Sequence, residues 1–277
     1  MNKNLLKIAK EHCDLSIIDD NQPFHLRSKS VIPKEAEKIY NAIKQSIGKK
    51  DGLYKTSRGY DELEIFPNAL MGTLCVLLGK REEADEIYDK INKMPWRFGS
   101  GLYYNGKTLR GQYTSDNAAM GVFCSLLGKE EEVEELDIAI KEKIETQSGL
   151  YKIGANLVSI YPLDNALMGA FEKLMGNDVA AERLYNEINS VFGKKDDLYI
   201  HSKEYGMEPT GLDNAAMAVL CQLIGKETEA ADIINAYELF VEGTDGLLND
   251  GKSFRYTTTE VNALIGIYYC LKVRGLT

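Results

Sequence analysis

The sequence predicts an all-α toroid of five to six tandem helical hairpins, with short β-hairpins between the outer and inner helices. The first observation behind this prediction is a repeat of 48 or 49 residues, marked by asparagines at positions 68, 117, 165, 214 and 262. The second is that the helix beginning at each asparagine is apolar on nearly all sides and must be covered on all sides. The third is that an acidic, amphipathic helix follows most of them and is suited to an outer layer. Fully buried inner helices favour closure into a ring.

The pattern of apolar residues predicts the helices in chain order. The outer helices are predicted near residues 33–47, 80–93, 129–145, 177–192 and 226–240, and the inner helices near 66–78, 115–127, 163–175, 212–224 and 260–274. Pro33 suits a first helical turn, and glycines suit the left-handed C-caps that end four inner helices. A possible short helix at 3–13 would add a sixth inner position. Residues 1–277 therefore form one predicted domain, with 1–32 as an extension and 33–277 as the repeats.

A Gly-Leu-Tyr triplet or a close variant precedes each inner helix, as in Gly52-Leu53-Tyr54. About a dozen residues rich in Gly, Asn, Lys, Thr and Tyr follow it. Two of these stretches contain turn signals, Asn105-Gly106 and Asp250-Gly251, and each stretch is predicted to form a short β-hairpin or a looped-out pair of extended segments. The segments 52–67, 101–116, 149–164, 197–213 and 246–261 are expected to surround one mouth of the ring.

Composition narrows the possible functions. The formal net charge is −9 at pH 7, which argues against nucleic acid and anionic membranes as partners. No apolar run reaches the length of a membrane span, and the N-terminus lacks the apolar core of a secretory signal. Four of the five cysteines lie in predicted apolar helices, which favours reduced thiols and a cytoplasmic location. We find no phosphate loop, dinucleotide fingerprint or metal-ligand spacing, so neither a metal nor another cofactor is predicted.

The order of helices, the hairpin before each inner helix and the repeat length resemble the α/α toroid class. This class includes six-hairpin glycosidase-like and epimerase-like barrels and, more distantly, terpenoid-cyclase toroids. The resemblance covers residues 33–277 and implies a carbohydrate-active protein, either a glycoside hydrolase or a sugar epimerase, with a small molecule or glycan in a central cavity. Five clear hairpins rather than six are a departure from the glycosidase pattern. The resemblance rests on architecture, so it transfers no catalytic residue.

Residues that differ between repeats are the predicted site of chemistry, because a residue present in every repeat serves a need that all repeats share. Asp116, Asp164 and Asp213 precede the asparagine in the middle repeats, and Glu260 lies near the start of the last inner helix. One interpretation is that these carboxylates complement helix dipoles. The other is that two of them act as acid and base across the mouth.

Further side chains are predicted to contact a ligand. Aromatic rings beside carboxylates suit sugars, and arginines in equivalent hairpins suit an anionic group, although packing and solvated charge are alternative roles. Glu172 replaces cysteine on a stripe of small residues, where it is either buried with a partner or partly exposed beside Lys173. The predicted ligand-binding residues are Tyr113, Tyr161, Trp96, Arg110, Arg255 and Glu172.

Two other function classes remain open at this stage. A non-catalytic helical-repeat scaffold would present the hairpins to a peptide or a protein partner, and its ring centre would be shallow or filled. A toroid for an apolar ligand would use the hydrophobic inner helices, but the chain lacks an Asp-rich diphosphate motif. The sequence does not indicate an oligomeric state.

Overall fold

The computed structural model describes residues 32–97, 99–106, 111–202, 208–238, 247–250 and 257–274. The outer helices in this part of the chain are α1 (Lys34–Ser46), α3 (Arg81–Lys93), α5 (Glu130–Lys143), α7 (Asp178–Val191) and α9 (Glu227–Glu238). The inner helices are α2 (Ile65–Leu77), α4 (Thr114–Leu127), α6 (Pro162–Leu174), α8 (Gly211–Leu223) and α10 (Thr259–Arg274). All ten predicted helices are therefore present, with each end within two residues of its predicted position.

The inner helices form a closed ring. Helix α2 packs on α4, α4 on α6, α6 on α8, α8 on α10, and α10 returns to pack on α2. Each of α3, α5, α7 and α9 covers the inner helix that precedes it, and α1 covers α10. The predicted toroid is confirmed, and its ring closes with five inner helices. The proposed sixth helix at 3–13 lies outside the described residues.

Glycines on the inner helices allow their close approach. A Cβ on Gly121 of α4 would lie 2.7 Å from the ring of Phe171, which projects from α6. The same contact recurs around the ring, so the predicted stripe of small residues accommodates large side chains of neighbouring helices. The contacting pairs are Gly72 with Phe123, Gly121 with Phe171, Gly169 with Leu220, and Gly266 with Leu74.

The repeated asparagine joins each inner helix to the hairpin segment that precedes it. Asn117 accepts a hydrogen bond from the Tyr103 backbone N–H at 2.7 Å and donates to the carbonyl oxygens of Tyr103 and Tyr113 at 3.2 and 2.7 Å. The other four asparagines repeat this arrangement and are also fully buried. The five asparagines therefore form a ladder of buried amides, and each amide bonds the hairpin segment of its own repeat.

The regular β-hairpins of the described residues lie before the Leu-Tyr pair, whereas the two predicted turns, Asn105-Gly106 and Asp250-Gly251, lead into segments 107–110 and 251–256, which lie outside the described residues. Strand β1 (Lys49–Lys50) pairs with β2 (Leu53–Tyr54), and β3 (Lys194–Lys195) pairs with β4 (Leu198–Tyr199). The first turn is Asp51-Gly52, and both residues have positive φ, of 54° and 86°. Asp-Gly is a strong signal for such two-residue turns, but the prediction placed Gly52 at the start of the following segment. Beyond the Leu-Tyr pairs, the described residues form isolated bridges.

We expect Asn117→Ala to lower the free energy of unfolding by about 2–4 kcal/mol, because it removes three hydrogen bonds from buried backbone groups. Urea unfolding monitored by circular dichroism measures this change. Asn186→Ala, at an exposed position of α7, is the control and should shift stability by less than about 0.5 kcal/mol. Equal effects of the two substitutions would contradict the structural role of the ladder.

Candidate functional site

The mouth of the ring is defined here as the N-terminal ends of the inner helices together with the hairpin residues that lie over them. The hairpin of one repeat holds the inner helix of the preceding repeat. The Thr114 N–H of α4 donates to the carbonyl oxygen of Ile153 at 2.9 Å, and the Gly211 N–H of α8 donates to that of Asp250 at 3.0 Å. The ring is completed in the same way, because Thr259 of α10 donates to Thr56 at 2.8 Å.

Aspartates at the mouth cap the neighbouring helix. Helices α4 and α6 have no side-chain cap of their own. Asp164 Oδ1 instead accepts a hydrogen bond from the Ser115 N–H of α4 at 3.0 Å, and Asp213 Oδ1 accepts one from the Leu163 N–H of α6 at 2.9 Å. These bonds satisfy amides that a helix leaves unpaired in its first turn. The capping interpretation is therefore confirmed, with each carboxylate acting on an adjacent helix.

Carboxylates lie near other helix starts as well. The Phe66 backbone N–H of α2 lies close enough to Asp116 to lower the pKa of that carboxyl. Helix α10 carries Val261 at the equivalent position, and Asp250 of the fifth hairpin takes over by accepting from the Leu212 N–H of α8 at 3.1 Å. The sequence predicts Asp250 only as part of a turn. The absence of an aspartate from α10, which carries Val261 at that position, is the sequence feature that points to another capping residue for α8.

Most of the predicted catalytic carboxylates are deeply buried. Asp116 is 1% exposed and Asp164 is 2% exposed. Burial raises the pKa of both groups well above the ordinary aspartate value, and nearby carboxylates, Glu64 for Asp116 and Asp213 for Asp164, raise it further. Burial also raises the pKa of Glu260 to about 8. These groups lie at the mouth as predicted, but their burial in the structure separates them from bulk solvent.

A histidine completes one position of the mouth. His201 Nδ1 lies 2.7 Å from Asp213 Oδ2, and the imidazole stacks on the Tyr161 ring with centroids 4.3 Å apart. The hydrogen bond to Asp213 raises the pKa of His201, while partial burial opposes this effect. The His201 side chain is 38% exposed and that of Asp213 is 1% exposed. An imidazole oriented by a buried carboxylate can exchange protons near neutral pH.

The structure brings together only some of the predicted ligand-binding residues. Tyr161 stacks on His201, and the half-buried Tyr113 lies at the start of α4, where it forms a bridge with Gly154. Trp96 is fully buried, so its predicted role in ligand binding is wrong and its ring serves the core. Arg110 and Arg255 lie outside the described residues. The sequence does not predict His201 as a site residue, because no second histidine lies near it.

Glu172 is not part of the mouth. It is 1% exposed, Lys141 Nζ lies 3.0 Å from its Oε1, and Asn177 donates to its Oε2 at 2.7 Å. The alternative of a partly exposed side chain beside Lys173 is therefore wrong, since Lys173 pairs with Asp178 instead. Glu172 lies two helical turns from the asparagine and contacts Lys141 and Asn177 of the outer layer, and its predicted contact with a ligand stays a prediction.

A comparison of repeats explains why a carboxylate lies at this depth. Tyr54 donates to Glu83 at 2.7 Å, and Tyr199 donates to Glu229 at 2.9 Å. Tyr103 bonds Glu132 in the same way. The third repeat has Ala180 at the position of these glutamates and Glu172 where the others have cysteine. The third repeat therefore carries its carboxylate on the inner helix instead of the outer helix. Within the described residues the Tyr151 hydroxyl has no hydrogen-bond partner.

The described residues contain no group of three or more His, Cys, Asp or Glu side chains arranged to hold a metal ion. None of the helices in this part of the chain has the length and apolar content needed to cross a membrane. Cys75, Cys124, Cys221 and Cys270 are buried free thiols, as predicted.

No protein-family model and no curated protein sequence matches the chain. Solved structures do match. An α-mannanase of glycoside hydrolase family 76 from Bacteroides thetaiotaomicron has 11% identity and a TM-score of 0.55, with 91% of this chain and 98% of that chain covered. An inactive variant of an α-1,6-mannanase from Salegentibacter sp., in complex with α-1,6-mannotriose, has 10% identity and a TM-score of 0.53, with 87% and 98% covered. A D-mannose isomerase has 11% identity and a TM-score of 0.54, with 87% and 86% covered. The chain therefore has the α/α toroid fold, and at these identities the likeness concerns the fold alone.

We expect a double-mutant cycle to show that Glu172 replaces the missing outer glutamate. Glu172→Cys and Ala180→Glu should each destabilise the protein, while the double variant restores the arrangement of the other repeats. The expected coupling is favourable by about 1–3 kcal/mol. Chemical unfolding of all four proteins measures it, and strictly additive effects would contradict the interpretation.

Glu260 should make stability depend on pH. Its folded pKa of about 8 exceeds the ordinary glutamate value of 4.5, so its contribution to stability is full below pH 4.5 and is lost as the pH rises to 8. The stability of the wild type relative to Glu260→Gln should fall by roughly 1 kcal/mol per pH unit in this window. Urea unfolding between pH 5 and 8 measures the difference. Glu86→Gln, at an exposed position of α3, should give no such slope, and parallel curves for wild type and Glu260→Gln would refute the prediction.

Proposed function

We propose that the protein binds a sugar at the mouth of the toroid and catalyses a proton transfer on it, as an isomerase or epimerase. The observation that carries this proposal is the half-exposed His201 imidazole, held by the buried carboxylate of Asp213 at 2.7 Å. The likeness of the fold to mannanases and to a mannose isomerase is consistent with a carbohydrate ligand.

The roles of the residues follow from their contacts. Asp213 accepts from His201 Nδ1, so Nε2 is the nitrogen free to exchange a proton with a ligand. Asp213 is thus a positioning residue and His201 the acid/base group. Tyr161 supports one face of the imidazole by stacking. An imidazolium in this position can protonate the carbonyl oxygen of an open-chain sugar while the hydrogen on the adjacent carbon is removed.

Glycoside hydrolysis is the second candidate, and the likeness to family 76 mannanases favours it. Hydrolysis requires two carboxyl groups that flank the scissile bond. Asp116 and Asp164 are buried, and Asp164 Oδ1 is engaged in capping α4, which weighs against them as that pair. We therefore place proton transfer first, with Asp116, Asp164 and Glu260 supporting the mouth.

The test is exchange of the sugar hydrogen with solvent deuterium. The wild type is incubated in D2O with D-mannose, D-glucose, D-fructose and N-acetylated hexosamines, and loss of the proton next to the carbonyl carbon is followed by NMR. We expect exchange with at least one sugar, and His201→Asn should slow it by about 100-fold or more. Asn105→Ala, at the equivalent position of the second hairpin, should leave the rate unchanged.

The outcomes separate the two candidates. Absence of exchange across the panel overturns the proposal. Release of mannose from α-1,6-mannotriose without exchange on any free sugar replaces it with hydrolysis. Exchange that is unaffected in His201→Asn removes the assigned role of the imidazole.

A further inference from the structure

One position in the hairpins differs in chemistry from repeat to repeat. It lies two residues after the Leu-Tyr pair or its equivalent, and at this position the carbonyl oxygens of Thr56, Ile153 and Asp250 each accept from an inner helix. The second and third repeats carry Asn105 and Ile153 there, whereas the adjacent fourth and fifth repeats carry His201 and Asp250. Two groups able to exchange protons therefore occupy equivalent places on neighbouring parts of the mouth.

Asp250 is held in a defined position. Its Oδ1 accepts from the Leu212 N–H at 3.1 Å, and its carbonyl oxygen accepts from the Gly211 N–H at 3.0 Å. A Cβ at Gly211 would overlap the Tyr237 hydroxyl oxygen and would lie 3.0 Å from Asp250 Oδ1, so glycine leaves room for both groups. Tyr237 bonds the carbonyl of Asn249 and anchors the same segment. Unlike the aspartates of the inner helices, Asp250 is only partly buried.

The charges around Asp250 suit a group that changes protonation near neutral pH. Burial raises its pKa to about 6, backbone hydrogen bonds from Leu212 and Gly211 lower it, Asp213 raises it and His201 lowers it. The Asp250 charge in turn helps raise the pKa of His201 and of Glu260. Asp250 and His201 therefore lie near enough for each charge to influence the pKa of the other group.

We infer that Asp250 is the carbon base of the proposed reaction and works together with His201 as the acid. The inference rests on the proposed function. Asp250 Oδ2 takes the proton from the carbon next to the carbonyl, so a C–H bond breaks and an O–H bond forms. The electron pair forms a carbon–carbon double bond as the carbonyl oxygen accepts a proton from His201. Return of the proton to carbon, with the hydroxyl proton passing back to His201, gives the product and leaves both groups as they began.

The experiment compares Asp250→Asn with the wild type on whichever sugar exchanges deuterium. Asparagine retains the oxygen that caps α8, so the melting temperature should change by less than about 2 °C, while exchange should slow by about 100-fold or more. Asn105→Ala is the matched control for the hairpin position. In the wild type the rate should rise as the pH passes through about 6, because the base must be ionised, and this rise should be absent from the residual activity of Asp250→Asn.

The results distinguish this inference from the function on which it rests. If the wild type exchanges no sugar, the proposed function fails and the inference fails with it. If the wild type exchanges and His201→Asn is impaired, but Asp250→Asn keeps the wild-type rate and its acidic limb, only the inference is overturned. If Asp250→Asn lowers the melting temperature, the pH dependence of the exchange rate is measured on the folded fraction of the variant. A variant that has only lost the cap of α8 keeps the rise in rate near pH 6, which overturns the inference, whereas a variant that has lost the base does not.

Discussion

The toroid depends on one buried amide per repeat. Each asparagine carboxamide forms both a donor and an acceptor bond with the same backbone residue of the preceding segment, as a neighbouring strand would. Its remaining donor closes the first turn of the inner helix. Since buried backbone groups must be paired, this side chain permits an irregular hairpin to lie on the end of an apolar helix. The mouth residues owe their positions to this attachment.

A second level of organisation links the repeats to one another. Helices α4 and α6 obtain side-chain caps from the next repeat, and backbone carbonyls of the neighbouring hairpins bond the first turns of α4, α8 and α10. Helix α8 also has a cap of its own, since the Asp213 N–H donates to the Thr210 hydroxyl. The catalytic candidates arise within the same scheme, since Asp213 caps α6 with one oxygen and orients His201 with the other. Asp213 therefore combines a structural role, the capping of α6, with the proposed positioning of His201.

The fold was largely predictable because periodic burial leaves a periodic trace in the sequence. Helix ends, the glycine contacts and the asparagine ladder all follow from needs that recur in every repeat. The site was less accessible. The sequence indicates Asp116, Asp164, Asp213 and Glu260 as departures from the repeat, yet their burial, and the bonds of Asp164 and Asp213 to adjacent helices, depend on tertiary contacts. His201 and Asp250 become candidates only when adjacent hairpins are seen to lie side by side. Trp96 and Tyr113 are both aromatic residues of the hairpin segments, and the sequence does not show that Trp96 is buried and Tyr113 is not.

The way in which the ring closes bears on how the chain matures during translation. Helix α1 packs on α10, and Thr259 of α10 bonds both Lys55 and Thr56. The first and the last helices of the described chain therefore pack against each other. Until α10 has been synthesised, the sides of α1 and α2 that pack on α10 in the folded chain lack this partner. Such exposure during synthesis favours association with chaperones, and the annulus is complete only after the last helix has been released.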